Sequence, residues 1–156
     1  MIDWQKVRNF VHKRTFFCAV TVVHGDSIRM FPIGSLRVKP DGTGTYFELF
    51  ARPVEEGAKI GFLAVDAGIW FWITSLIRGR FSHPPALRLY GTTGQRRTCT
   101  EKEKQGWYRR VGLLLRTAGG KSLWSKPGPI RELEFERVEA VNLGKTTKHL
   151  LGWLDS

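Results

Sequence analysis

The sequence predicts a mainly β protein with minor α content, an antiparallel barrel or sandwich, and three observations predict it. About six short runs of strand length recur along the chain, either alternating in polarity or apolar throughout. Hairpin-type turns join most of them, with few helical crossovers, which disfavours a doubly wound parallel sheet. At 156 residues, the chain is long enough for one proper core and too short for two.

The elements follow in order. Asp3 is positioned to cap a short N-terminal helix within residues 1–14, with Trp4, Val7, Phe10 and Val11 on one face. Thr15–Val23 is apolar on both faces, as in a strand whose outside is covered. The turn residues His24–Ser27 lead into a second strand, Ser27–Val38. Pro32 and Gly34 interrupt it, so it is expected to be bulged or on an edge. Asp41-Gly42 within Lys39–Gly44 signals a tight hairpin, and Tyr46–Phe50 returns from it. Residues 52–59 read as a short polar connection with one helical turn, and Ile60–Val65 as a buried strand.

Ile69–Phe81 is an aromatic insertion, and Ala86–Thr93 alternates as a strand after Pro84-Pro85. Thr100 and Glu103 match a capping box for a helix through Trp107, Val111 and Leu114, which Gly119-Gly120 is expected to end. In Ile130–Val141 the apolar set moves from Leu133 and Phe135 to Val138 and Ala140. That one-residue slip predicts a β-bulge. Residues 145–156 form a C-terminal tail, and the whole of 1–156 reads as one domain.

Composition narrows the function. The net charge of +11 favours an anionic partner, although the basic residues are spread over the whole chain. Cys18 and Cys99 stand apart from each other and from any His cluster, so no metal site is expected, and a reducing, cytoplasmic compartment is. No secretory signal is read at the start. Ile60–Ile77 approaches the length of a membrane span, but Asp66 in its middle disfavours insertion. A surface role for Trp70, Phe71 and Trp72 followed by Arg78 and Arg80 is favoured over a span, but as a minority reading. The sequence contains no nucleophile elbow, Walker loop, zinc-protease motif or dinucleotide fingerprint, and its four histidines are far apart. Catalytic side chains are therefore unassigned, and a cofactor is expected to carry any chemistry.

Three stretches carry a family resemblance: Ser27–Glu48, with Pro-Ile-Gly before the Asp-Gly hairpin; Ala86–Arg97 (ALRLYGTTGQRR); and Ile130–Gly144. Their order and texture resemble the pyridoxamine 5'-phosphate oxidase-like, FMN-binding split-barrel superfamily. The resemblance implies a six-stranded antiparallel split β-barrel with a few peripheral helices. It also implies a homodimer with FMN bound between subunits, used for oxidoreduction or electron transfer with an unknown substrate and nicotinamide donor. By that resemblance the flavin lies along Phe31, Pro32, Ile33, Gly34 and Ser35, with Arg29 and Arg52 on its phosphate. Trp124, Lys126 and Arg131 stand where a second subunit completes the site. Ile69–Phe81 reads as dimer contact or pocket lid. The alternatives are a non-catalytic carrier or sensor of flavin, deazaflavin or haem on the same barrel, and a basic barrel that binds single-stranded nucleic acid.

Overall fold

The computed structural model describes residues 1–49 and 53–156. Helix α1 (Trp4–Arg14) opens the chain, with the Asp3 carboxylate accepting from Lys6 N–H. Seven strands follow: β1 (Thr15–His24), β2 (Ser27–Ile33), β3 (Arg37–Val38), β4 (Thr43–Phe47), β5 (Lys59–Asp66), β6 (Ala86–Arg97) and β7 (Ile130–Ala140). Helix α2 (Ile69–Arg78) lies between β5 and β6, and α3 (Glu101–Val111) and α4 (Ala118–Trp124) lie between β6 and β7.

The strands form one sheet in the order β2-β1-β5-β6-β7-β4-β3, and every pairing is antiparallel. The expected single strand Ser27–Val38 breaks at Gly34-Ser35-Leu36, so there are seven strands where six were expected. Its halves, β2 and β3, lie at opposite edges of the sheet, and those three residues join them. The sheet is thereby bent back on itself as a barrel. Pro32, which has no N–H to donate, sits on an edge strand as its chemistry requires.

Alternation along each strand fills the inside. Cys18, Val20 and Val22 of β1, Ile60, Phe62 and Ala64 of β5, and Leu87 and Leu89 of β6 point inward, and Val7, Phe10 and Val11 of α1 join the same core. Burial pushes the Cys18 thiol up to about 12, so it packs as a small hydrophobe. A smaller cluster of Phe47, Trp107, Val111 and Ile130 seats α3. The slip in β7 is a bulge: Tyr90 pairs with Arg137 but Gly91 pairs with Phe135, leaving Glu136 extra. Gly91 is required there, because a Cβ would overlap the Glu134 carbonyl.

Three expectations change. Gly119-Gly120 does not end a helix but lies inside α4, and Gly120 lets that helix approach the Leu114 carbonyl, which a Cβ would overlap. The described part of the 52–59 connection, from Pro53, holds a turn at Glu56-Gly57 and no helical turn. The outside of β1 is not covered: Phe16, Phe17 and Val23 are exposed, beside Met30, Leu63 and Val65. Ile60–Ile77 divides at Asp66 into a strand and a ten-residue helix, and among the described residues no helix is long and apolar enough to cross a membrane.

Candidate functional site

A cleft of about 410 Å³ opens between α1, the β3–β4 hairpin and α3. Helix α1 supplies Arg8 and His12, one turn apart and so on one face. Strand β3 supplies Arg37, which alternates with the buried Leu36 and Val38 and therefore points the other way. Helix α3 contributes Lys102, Gly106 and Arg109 at helical spacing, with Trp107 beside them, while Ser35 and Phe47 also line the cleft. A pocket of about 40 Å³, lined by Phe16, Phe17, Gly34, Arg110 and Trp124, shares Trp107 with the cleft.

The electrostatics of this cleft are one-sided. Burial, then Arg110 and Arg8 nearby, hold the Arg37 guanidinium below its ordinary pKa, and burial does the same to Arg110. Neither they nor Arg8 has a carboxylate within salt-bridge distance among the described residues. Glu103, the one acidic group lining the cleft, is already engaged. Arg97 donates to both of its oxygens at 2.9 and 2.7 Å, and this pairing holds its pKa down to about 2. His12 accepts from Val38 N–H at 3.0 Å, and burial, then Arg37 and Arg8, push its pKa down to about 4. Such guanidinium groups around a cavity have the chemistry to hold an anion such as a phosphate, which guanidinium binds bidentately.

The sequence-predicted residues divide around this cleft. Ser35 lines it while its hydroxyl accepts from Phe47 N–H at 3.0 Å. Gly34 and Trp124 line the adjoining pocket, and the Trp124 carbonyl accepts from Trp107 Nε1 at 3.2 Å. Ile33 is in the core and Phe31 packs against it, while Phe31 and Pro32 also border a shallow concavity with Met30 and Leu63. Arg29 is half-buried on the edge strand, opposite Val22, and Lys126 is exposed. Arg52 lies outside the described residues.

Arg131 is committed within the chain. Its Nε donates to Glu48 Oε1 at 2.8 Å and its Nη1 to the Gly94 carbonyl at 3.0 Å. Sequence reasoning did not single out Arg8, His12, Arg37 or Arg109. The signals available were the Arg8–His12 spacing of one turn and the Leu36-Arg37-Val38 alternation before the hairpin.

No family model matches the sequence, and no curated protein does. Solved structures do match. An FMN-binding protein from Syntrophomonas wolfei is 14% identical with a TM-score of 0.58, over 90% of this chain and 86% of that one. HupZ from Group A Streptococcus is 16% identical with a TM-score of 0.54, over 90% and 94%. A candidate pyridoxamine 5'-phosphate oxidase from Listeria innocua is 11% identical with a TM-score of 0.52, over 88% and 95%. At such identities the likeness is one of fold alone: the chain shares the fold of these proteins.

Proposed function

We propose that this protein binds FMN in the cleft between α1, β3–β4 and α3, and that it works as a flavin-dependent oxidoreductase or electron carrier. One observation carries the reading. Arg8 and Arg37 line a cavity of about 410 Å³ with Arg110 nearby, and among the described residues none of the three has a carboxylate within salt-bridge distance, in a fold shared with an FMN-binding protein. The residues present fit the group. Arg37, Arg8 and Arg109 would hold the phosphate, and the apolar faces of Trp107 and Phe47 would pack against the ring. FMN, when bound, supplies the electron and hydride chemistry. The chain neutralises the phosphate, and His12 stays neutral so that its Nε2 keeps the bond from Val38 N–H.

The open outer face of the sheet fits a second copy of the chain. A trough of about 740 Å³ runs across it, lined by Val23, Gly61, Leu63 and Tyr90 among others. Lys59, Arg88, Glu136 and Arg137 also line it, so an apolar floor is edged by charge of both signs, a mixture typical of an interface. A soluble homodimer joined across that trough, working in the cytoplasm, is the assembly this reading expects.

The test is an absorbance spectrum of the purified protein after incubation with FMN and gel filtration, with the molecular mass measured alongside. Retained flavin bands that bleach on adding a nicotinamide donor support the proposal. Bands that persist with every nicotinamide donor favour a carrier. Arg37→Ala is expected to weaken FMN retention by about 30-fold, the loss of a charge-assisted bond to phosphate of roughly 2 kcal/mol. A colourless wild type that holds no FMN overturns the flavin assignment, and a monomer at micromolar concentration overturns the dimer.

A further inference from the structure

Helix α2 is amphipathic in the unusual sense. Its inward side is fastened to the barrel: Phe71 stacks on His83 at 4.0 Å, Trp72 packs edge-on to Phe81 at 5.6 Å, and Trp72 Nε1 donates to the Asp66 carbonyl at 2.8 Å. Ser75 is buried on the same side. Its solvent side is not polar. Ile69, Trp70, Ile73, Leu76 and Ile77 share one helical face and are all exposed, Trp70 by 74% and Ile77 by 80%.

The C-terminal end of this helix is basic. Gly79, at φ 64°, turns the chain so that Arg80 meets Lys145, Lys148 and His149 around a shallow concavity. Phe81 N–H donates to the Thr146 carbonyl at 3.2 Å, and His149 Nε2 lies 2.8 Å from the Phe81 carbonyl, so the two segments are tied together. Leu143 and Leu151 of the second segment are also exposed. The sequence contains no Asp or Glu from Ala67 to Thr100, nor from Val141 to Leu154.

We propose that α2 and the 143–151 segment dock the protein on an anionic lipid bilayer. The apolar stripe would lie in the interface plane, and Arg78, Arg80, Lys145 and Lys148 would sit among acidic headgroups. Charge decides this occupant. A second copy meeting the same patch across a two-fold axis would bring four like charges against four, whereas an anionic surface neutralises them. At ten residues the helix is about 15 Å long, half of what a span requires, so it lies on the bilayer rather than through it. This inference does not depend on the flavin reading.

The experiment is co-sedimentation with two kinds of vesicle, phosphatidylcholine alone and phosphatidylcholine mixed with phosphatidylglycerol. Binding to the mixed vesicles only, weakening as salt is raised, is expected. Trp70→Ser with Ile77→Ser should lower the partition by at least roughly tenfold. Replacing Arg78, Arg80, Lys145 and Lys148 by Gln should lower it by about fivefold per charge. All these side chains are exposed, and far-ultraviolet circular dichroism confirms the fold of each variant; the salt titration needs the wild type alone. No binding to mixed vesicles, equal binding to both kinds, or variants that bind as the wild type does overturns the proposal. If nothing binds vesicles and Trp70→Ser turns a dimer into a monomer, α2 is a contact between copies and the proposal also fails.

Discussion

Replacing Glu48 by Gln isolates the most deeply buried charge pair in the fold. The Glu48 side chain is 0% exposed and that of Arg131 is 4% exposed, with Nε–Oε1 at 2.8 Å. Tyr46 Oη donates to the same carboxylate at 3.3 Å, and Arg96 Nε reaches its other oxygen at 2.9 Å. Glu48→Gln keeps the shape but leaves the Arg131 guanidinium without a counter-charge in the interior. Breaking a buried pair in this way costs about 3–5 kcal/mol. For a chain of this size that corresponds to a fall in Tm of about 6–20 °C.

Arg96 provides the control. Its side chain is 45% exposed, so solvent screens it, and Arg96→Gln should cost no more than about 1 kcal/mol. The paired change Glu48→Leu with Arg131→Leu should recover part of the single-mutant loss, because no lone charge remains. Urea and thermal unfolding of the purified protein without added ligand, followed by circular dichroism, measure all three. If Glu48→Gln unfolds with the wild type, or costs no more than Arg96→Gln, the claim that Glu48 neutralises a buried cation is wrong.

Other expectations follow from the same structure. The folded-state pKa of His12, about 4, lies below its ordinary value of 6.5, so between those pH values the unfolded chain binds the extra proton. This contribution to stability is complete above pH 6.5 and is lost as pH falls toward 4, by at most about 1.4 kcal/mol per pH unit and less because the ring is half-exposed. Urea midpoints across that range should fall less steeply in His12→Asn, and parallel curves would refute the assignment. Gly120→Ala should destabilise by about 1–3 kcal/mol through overlap with the Leu114 carbonyl, whereas Gly119→Ala, with open space at its Cβ, should be neutral or stabilising by about 0.5–1 kcal/mol. Equal effects in thermal melts would show that α4 does not need the close approach. Thr100→Ala removes the hydroxyl that accepts from Glu103 N–H and should cost about 1 kcal/mol in the same assay, with an unchanged Tm counting against the capping box.

The sequence discloses those parts of the fold that depend on near neighbours. The bulge at Glu136 is visible as a change of apolar phase within one strand, and the α3 cap as a Thr and a Glu three residues apart. The barrel class follows from such local signals added together. The break at Gly34 was visible too, but not its consequence, since nothing nearby says that β2 and β3 go to opposite edges.

The cleft was the least readable part. Arg8, Arg37 and Arg109 come from three elements, and only the closed sheet brings them together. Arg131 illustrates the converse. A lone arginine in a strand reads as a candidate ligand for phosphate, but its partner Glu48 stands 83 positions away and no periodicity links them.

The place of β7 in the sheet has a consequence for how the chain is made. It alone bridges β6 to β4, so the first 129 residues contain an open four-stranded sheet, β2-β1-β5-β6, and a detached β3–β4 hairpin. During synthesis both partners must wait, with unpaired edges exposed, until Ile130–Ala140 leaves the ribosome. A chain stopped before Ile130 should therefore self-associate rather than fold, whereas one stopped after Ala140 contains every strand of the described residues. This last strand, not the first hairpin, turns a sheet into a barrel.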